Sequence, residues 1–136
     1  MISVRMLVDG EAGGPLAVLR RPLSLWGGYD VHGGVVMDAT HPDAGRSLGG
    51  RILAMREARG SSSSSSALVE AARCGTAPAA ILLGHVDPIL VIGSLVAREL
   101  YGVTIPIALV DPEDWPRLED GAAVRLEHGR LAGAGA

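Results

Sequence analysis

The chain of 136 residues contains no lysine, asparagine, glutamine or phenylalanine, and all twelve of its basic residues are arginines. Its fifteen acidic residues bring the formal net charge to -3, so there is no basic surplus of the kind that binds nucleic acid. This bias is typical of a GC-rich coding sequence, and the arginines alone are therefore no sign of phosphate recognition. A nucleic-acid-binding role is disfavoured.

Cysteine is nearly missing as well. The single cysteine, Cys74, excludes an internal disulfide. One thiol cannot by itself hold an iron–sulfur cluster or a structural zinc. We interpret Cys74, next to Gly75, as a small apolar residue near a helix end. No metal site is predicted from the residues of this chain.

Long uninterrupted apolar segments are also missing. The most apolar region, residues 77–97, is broken at residues 84–88, so no membrane-spanning helix is expected. Arg5 and Asp9 interrupt the apolar start of the chain, which argues against a signal peptide. We therefore expect a cytoplasmic protein. Hydrophobic residues make up 48% of the sequence, which is enough to enclose one core in a single domain spanning residues 1–136.

The hydrophobic pattern predicts an α/β fold with a central sheet and flanking helices. The second half alternates strand 48–55, helix 62–73, strand 79–83, helix 89–101 and strand 105–110, which makes two consecutive βαβ units with right-handed crossovers. Gly75 suits the end of the first helix, and Asp87-Pro88 suits the start of the second. Further predicted features are strands 2–8, 16–19 and 35–37, a turn at 11–14, a helical turn at 111–115, a hairpin over 122–131 and frayed residues 132–136.

Six consecutive serines, residues 61–66, follow Arg59 and Gly60. Such a run alone is typical of a flexible linker, but its position between a strand and a helix argues against one. A glycine-serine turn that opens a helix presents backbone N–H groups and hydroxyls to one point. The turn is therefore a candidate site for a carboxylate or a phosphate.

Ser61 is the candidate reactive residue of this turn. It follows glycine at the positive end of a helix dipole, where an alkoxide is easier to form. A serine alone is a poor base, and neither a Ser-His-Asp spacing nor a Gly-x-Ser-x-Gly elbow is present. Judged from the residues alone, the favoured hypothesis is that Ser61 or Ser62 is only a helix N-cap.

Two loops supply further candidates. Gly27 and Gly28 lie between two aromatic residues, in a loop that either closes over a ligand or is a surface loop anchored by Trp26; composition favours the second. His41 precedes Pro42 and could orient a substrate, although a solvent-facing loop histidine is the commoner case.

Several separate motifs over about residues 20–110 resemble the small subunit, or swivel domain, of the aconitase X family. They occur in one order: Leu23-Ser24-Leu25-Trp26-Gly27-Gly28, Asp38 with His41-Pro42, Gly45-Arg46-Ser47-Leu48-Gly49-Gly50, Arg59-Gly60-Ser61-Ser62, Ala77-Pro78-Ala79-Ala80-Ile81, Asp87-Pro88-Ile89-Leu90 and Ile105-Pro106-Ile107.

The resemblance implies a swivelling β/β/α domain that closes over a larger catalytic subunit. It implies that Ser61 is the catalytic base, although Ser62 or Ser63 could take the same place. Arg59, Gly60, Ser62 and Ser63 would then bind a small hydroxy-acid substrate, together with Gly27, Gly28 and His41. Iron, or an iron–sulfur cluster, would belong to the large subunit and act on the leaving hydroxyl.

The reaction implied by the resemblance is dehydration. Bacterial members resemble cis-3-hydroxy-L-proline dehydratases, and archaeal two-subunit members resemble mevalonate 5-phosphate dehydratases; the all-serine run favours the bacterial type. Two hypotheses of other classes remain open beside it. The chain could be a non-catalytic module that binds an anion or small molecule, or an interaction domain whose serine run is only a linker.

Overall fold

The computed structural model describes residues 1–134. Its main sheet has eight strands in the order β1-β10-β9-β3-β6-β7-β8-β2, and β4 pairs separately with β5. The strands are β1 (Ile2–Ser3), β2 (Arg5–Val8), β3 (Ala12–Val18), β4 (Tyr29–Asp30), β5 (Val35–Val36), β6 (Ile52–Met55), β7 (Ala80–Leu83), β8 (Ile107–Leu109), β9 (Ala123–Glu127) and β10 (Arg130–Gly133). The helices are α2 (Ser63–Cys74), α3 (Pro88–Tyr101) and a 3₁₀ turn at Trp115–Arg117; α1 (Leu25–Gly28) is a short looped segment, because Trp26 and Gly27 have non-helical backbone angles.

The two predicted βαβ units are present. Strands β6, β7 and β8 run parallel, with α2 between the first two and α3 between the last two. All four residues of β7 are fully buried, as expected of a central strand covered on both faces. The α/β fold class is therefore confirmed, although the strand predicted over 48–55 forms only from Ile52.

Each face of the sheet covers a separate hydrophobic cluster, because neighbouring residues of a strand point to opposite faces. Ile81 and Leu83 pack with Leu68 and Leu90 beneath the two long helices. On the other face, Leu82 packs in a second cluster with Trp115, Leu126 and their neighbours. The helices therefore cover one face of the sheet, and the second cluster lies on the other face, where the 3₁₀ turn contributes Trp115.

The prediction of one strand over residues 2–8 is wrong. The segment divides at Val4: β1 pairs with β10 and β2 pairs with β8, at opposite ends of the strand order. One residue spans only about 3.8 Å, so the sheet must curl until its two ends lie close together. The Val4 N–H donates to Gly129 O at 2.9 Å across this junction.

The turn predicted at residues 11–14 is also wrong, because residues 12–14 belong to β3. This strand pairs antiparallel with β9 through Ala12 to Pro15, and parallel with β6 through Leu16 to Val18. Pairing overrides the weak strand propensity of Gly13, Gly14 and Pro15. At the other end of the chain Ala132 and Gly133 continue β10 rather than fray, and residues 135–136 lie outside the described part.

Both long helices begin and end near the predicted residues. Helix α2 ends at Cys74 and is capped by Gly75, which has φ +75°. The Asp87 carboxylate caps α3 by accepting from the N–H groups of Ile89 at 2.8 Å and Leu90 at 3.2 Å. The predicted hairpin is confirmed, with positive φ at His128 and Gly129. The helical turn predicted at 111–115 forms slightly later, at Trp115–Arg117.

The helices bear on the interpretation of the serine run and on membrane-spanning segments. Four of the six serines lie within α2, so the linker interpretation of the run is wrong. Among residues 1–134 no helix is both long and apolar enough to cross a membrane.

A candidate active-site turn at the start of helix α2

The serine turn lies just beyond the carboxyl end of β6, and Asp87 follows the carboxyl end of the neighbouring strand β7. Because the two strands are parallel, the segments that follow them meet at the same edge of the sheet. Ligand sites of parallel α/β sheets lie outside the carboxyl ends of the strands. Gly60, with φ +114°, directs the chain from this edge into α2.

Ser61 and Ser62 begin the helix in different ways. Ser62 occupies the N-cap position, but its side chain makes no capping hydrogen bond. Ser61 Oγ accepts a hydrogen bond from the Ser63 N–H at 3.3 Å, so Ser61 rather than Ser62 does what a capping side chain does. Both residues are exposed, and Ser63 is half-buried. A hydroxyl at this position is open to a ligand and lies beside a helix N–H.

A second segment, the loop that begins at Ser24, packs directly against this turn. Ser24 forms an isolated parallel bridge with Arg59, and its hydroxyl donates to Trp26 O at 2.8 Å. A Cβ atom at Gly60 would overlap Ser24 Oγ and lie 3.0 Å from Ser64 Oγ. The hydroxyls of Ser24 and Ser64 therefore converge on Gly60. Neither serine stands out in the sequence, because no local pattern links Ser24 to residue 60 and Ser64 is one of six consecutive serines.

A polar cleft of about 260 Å³ adjoins the turn. It is lined by Ser24 and Arg59 together with Arg21, Pro22, Asp38, Thr40 and His41. Hydrogen bonds from the Thr40 hydroxyl at 2.6 Å and the Thr40 N–H at 2.9 Å lower the pKa of Asp38, so its carboxylate stays charged. Arg21 donates to Thr40 O at 2.9 Å. Two arginines and one carboxylate thus face a space large enough for a small polar molecule.

His41 lies in the wall of this cleft, but it is not the solvent-facing loop residue weighed above. Its relative exposure is only 7%. Its Nδ1 accepts from the Asp43 N–H, and its Nε2 lies 3.0 Å from Arg21 O. A carbonyl oxygen can only accept, so Nε2 carries the proton. Backbone groups therefore occupy both ring nitrogens, and His41 holds the cleft wall in shape.

The loop containing Gly27 and Gly28 is held in place by residues other than Trp26, which was the anchor expected for a surface loop. Trp26 is 59% exposed, so it does not anchor the loop. Leu25 and Tyr29 anchor it instead, and the Tyr29 hydroxyl donates to Thr76 O at 2.6 Å. Burial and the neighbouring Asp30 raise the pKa of Tyr29 to about 12, so this donor stays protonated. Gly27 is exposed with φ +82°, and Gly28 is buried.

Beside this loop lies an apolar groove of about 570 Å³. We define the Trp26 groove by the residues that line it: Leu25, Trp26, Gly27, Tyr29, Val31, Met37, Ser66, Ala67 and Glu70. Its far wall is the serine helix itself, and Leu25 also lines the small cavity under Ser61. The groove and the serine turn therefore belong to one continuous face.

The residues of this chain do not suit an iron–sulfur cluster. Cys74 is the last residue of α2, at the opposite end of the helix from Ser61. Its Sγ lies 3.6 Å from His32 Nδ1 and 3.6 Å from a Glu70 oxygen. Within residues 1–134, the group of three side chains close enough to hold a metal ion is Glu11, Glu127 and His128, at the β9–β10 hairpin. Arg125 already pairs with both of these carboxylates.

The fold and the site together define a class: a mixed α/β domain that carries a serine turn at the carboxyl edge of its parallel strands. The sequence model of the aconitase X swivel domain family matches residues 1–132, so the chain belongs to this family. The crystal structure of aconitase X from Thermococcus kodakaraensis superimposes with a TM-score of 0.82 at 30% identity, over 97% of this chain and 96% of that one. The suspected family and fold are thereby confirmed.

Two kinds of relative differ in length. A cis-3-hydroxy-L-proline dehydratase from Pseudomonas aeruginosa is 45% identical over 93% of this chain, but the match covers only 23% of that protein. The chain therefore spans about a quarter of the length of that relative. A phosphomevalonate dehydratase small subunit from Thermococcus onnurineus is 34% identical, and the match covers 90% of this chain and 88% of that subunit.

Proposed function

We propose that this chain is the small subunit of a two-subunit dehydratase and that it supplies a serine base to an active site on a larger partner. The observation that carries the proposal is the position of Ser61, an exposed hydroxyl beside a helix N-terminus at the carboxyl edge of the sheet. Relatives of two lengths support a separate partner, since one match is a small subunit and the other a segment of a longer enzyme.

Ser61 would remove the proton from the carbon next to the one that loses its hydroxyl. The hydroxyl must first lose its own proton, and the alkoxide is then stabilised by the Ser63 N–H and the helix dipole. Among the described residues, Ser61 Oγ is hydrogen-bonded to the Ser63 N–H and not to a histidine or a carboxylate. The group that accepts the Ser61 proton is therefore assigned to the large subunit.

Substrate binding is assigned to the polar cleft and the turn. Arg59 and Arg21 face the cleft and suit a substrate carboxylate, while the N–H at Ser62 suits an anionic oxygen. The Ser63 N–H serves Ser61 Oγ, so Ser63 contributes to binding through its hydroxyl. His41 shapes the wall. The Gly27-Gly28 loop lies beside the serine turn and is assigned to the border of the substrate site.

The proposed substrate is cis-3-hydroxy-L-proline, because the bacterial relative with that name shares 45% of aligned residues with this chain. Mevalonate 5-phosphate is the second candidate, favoured by the match over nearly the whole length of a small subunit. Assays of the assembled enzyme with both compounds side by side decide between them. Turnover of neither would remove both substrate assignments.

Iron chemistry is assigned to the large subunit, since the ligands of this chain do not suit a cluster. When bound there, an iron centre would supply a Lewis acid for the leaving hydroxyl. Co-expression with a large subunit of the aconitase X family should give a stable complex that contains iron. If the two chains fail to co-purify, the two-subunit proposal is wrong.

The Ser61→Ala variant of the assembled enzyme tests the base directly. General-base catalysis typically contributes about 10²- to 10⁴-fold, so kcat should fall by that factor while size-exclusion chromatography shows unchanged assembly. Ser62→Ala and Ser63→Ala, prepared in parallel, are the matched controls, because they remove the same group one or two residues further along. If one of these controls loses kcat instead, the base is a different serine.

A non-catalytic module that binds a small anion is the second candidate function, favoured by the two arginines of the polar cleft. In that case Ser61→Ala would leave turnover by the assembled enzyme unchanged. Isothermal titration of the isolated chain with proline carboxylate analogues would instead show binding that Arg59→Ala abolishes.

A further inference from the structure

A small cavity lies under the serine turn, separate from the open polar cleft. Its volume is about 10 Å³, which is close to the space that one water molecule needs. Arg59, Ser61, Ser64 and Asp87 contribute its polar side chains, and Gly60 with apolar residues such as Met55 lines the remainder. The cavity is too small for a carboxylate or a phosphate, so it suits a single oxygen atom.

Ser64 supplies the second observation. Its relative exposure is 4%, and its Oγ has no hydrogen-bond partner among the described protein atoms. Buried hydroxyls in folded proteins are almost always hydrogen-bonded, to protein or to ordered water. Ser64 Oγ lies 3.0 Å from the position that a Cβ of Gly60 would occupy, so it faces the turn and not solvent.

We propose that one ordered water occupies this cavity, bound to Ser64 Oγ, and that it fixes the Gly60–Ser61 turn from below. Asp87 offers a second hydrogen-bonding group to this water. It caps α3 through Oδ1 alone, which leaves its other carboxylate oxygen as an acceptor. Ser64 is then a positioning residue for Ser61. The water site stands on Ser64 itself, whereas the positioning role rests on the proposed function of Ser61.

The sign of a stability change tests the water site in the full chain. Removal of a hydroxyl that has no partner relieves its desolvation cost and raises stability, whereas removal of one that binds an ordered water loses a hydrogen bond. Ser66→Ala is the matched control, because Ser66 is an exposed serine of the same helix. Both variants gain the higher helix propensity of alanine, so this gain cancels when their melting temperatures are compared. We expect a lower melting temperature for Ser64→Ala than for Ser66→Ala. An equal or higher one overturns the water site.

A high-resolution crystal structure of the unaltered chain tests the same site without any substitution. It should show one water within hydrogen-bond distance of Ser64 Oγ. A cavity without a water, or one filled by an apolar side chain, contradicts the proposal.

In the assembled enzyme, Ser64→Ala should lower kcat about tenfold or more with KM unchanged, because the base is displaced but substrate contacts remain. An unchanged kcat with the water present overturns the positioning role alone. Full activity of Ser61→Ala overturns the proposed base and leaves the water site to be judged by the first two measurements.

Discussion

Gly60 is the residue on which the geometry of the serine turn depends most. Its φ of +114° is unfavourable for a residue with a side chain, and a Cβ there would overlap Ser24 Oγ. Gly60→Ala should lower the free energy of unfolding by about 2 kcal/mol or more, measured by urea denaturation. Gly27→Ala is the control: Gly27 also has positive φ, but nothing lies within 4 Å of its Cβ position. Equal losses in the two variants would mean that the contact with Ser24 has no energetic weight.

At the residue scale the sequence predicts what is adjacent along the chain and misses what folding brings together. Gly60 and Ser61 stand side by side in the sequence, so a glycine turn followed by a serine at the start of a helix could be predicted. Ser24 comes from a distant loop, and Ser64 is one of six chemically identical serines. Only the helix period, which turns Ser64 toward the core and Ser62 toward solvent, distinguishes them.

At the scale of elements, the start of helix α3 offers the sharpest prediction. Asp87 Oδ1 accepts from two N–H groups of the first turn. Asp87→Ala removes this cap and should cost about 1 kcal/mol of unfolding free energy, whereas Asp87→Asn keeps the cap and should cost little. Urea denaturation of both variants gives the comparison. A loss for the asparagine variant as large as that for alanine would show that the negative charge, rather than the cap, matters at this edge of the sheet.

The elements that could be predicted are those whose signals are local. Asp87-Pro88 starts a helix and Gly75 ends one because each satisfies helix-end groups within a few residues. The strands that alternate with these helices are apolar on both faces, so they are expected in a parallel sheet that is covered on both sides. The division of residues 2–8 at Val4 and the inclusion of Gly13 and Gly14 in β3 depend instead on distant partners in the second half of the chain, in β8, β9 and β10.

At the scale of the whole molecule, three features share one face: the serine turn, the polar cleft and the Trp26 groove. The cleft joins the turn through Ser24 and Arg59, and the groove joins it through Leu25 and α2. A monomer that exposes a large apolar groove beside a polar cleft has a surface suited to a partner. The proposed large subunit must face Ser61, so we expect its contact area to extend over the adjoining groove.

Trp26 allows this docking to be measured. It is 59% exposed, while the second tryptophan, Trp115, is buried and lies under the Arg56 guanidinium at 5.4 Å. Binding of the large subunit should therefore shift tryptophan emission to shorter wavelength through Trp26 alone, with Trp26→Ala abolishing the shift. A buried aromatic anchor contributes about 2 kcal/mol, so the same variant should weaken the complex about thirtyfold.

Leu100→Ala is the matched control for Trp26→Ala, because Leu100 is 62% exposed on α3 and lies outside the groove. Both variants remove a large apolar side chain from the surface, so a general loss of hydrophobic area would weaken the two complexes alike. Docking over the Trp26 groove predicts that Leu100→Ala assembles with unchanged affinity in the same titration. If Leu100→Ala weakens assembly and Trp26→Ala does not, the large subunit binds the exposed face of α3, and Ser61 then points away from the partner that its chemistry requires.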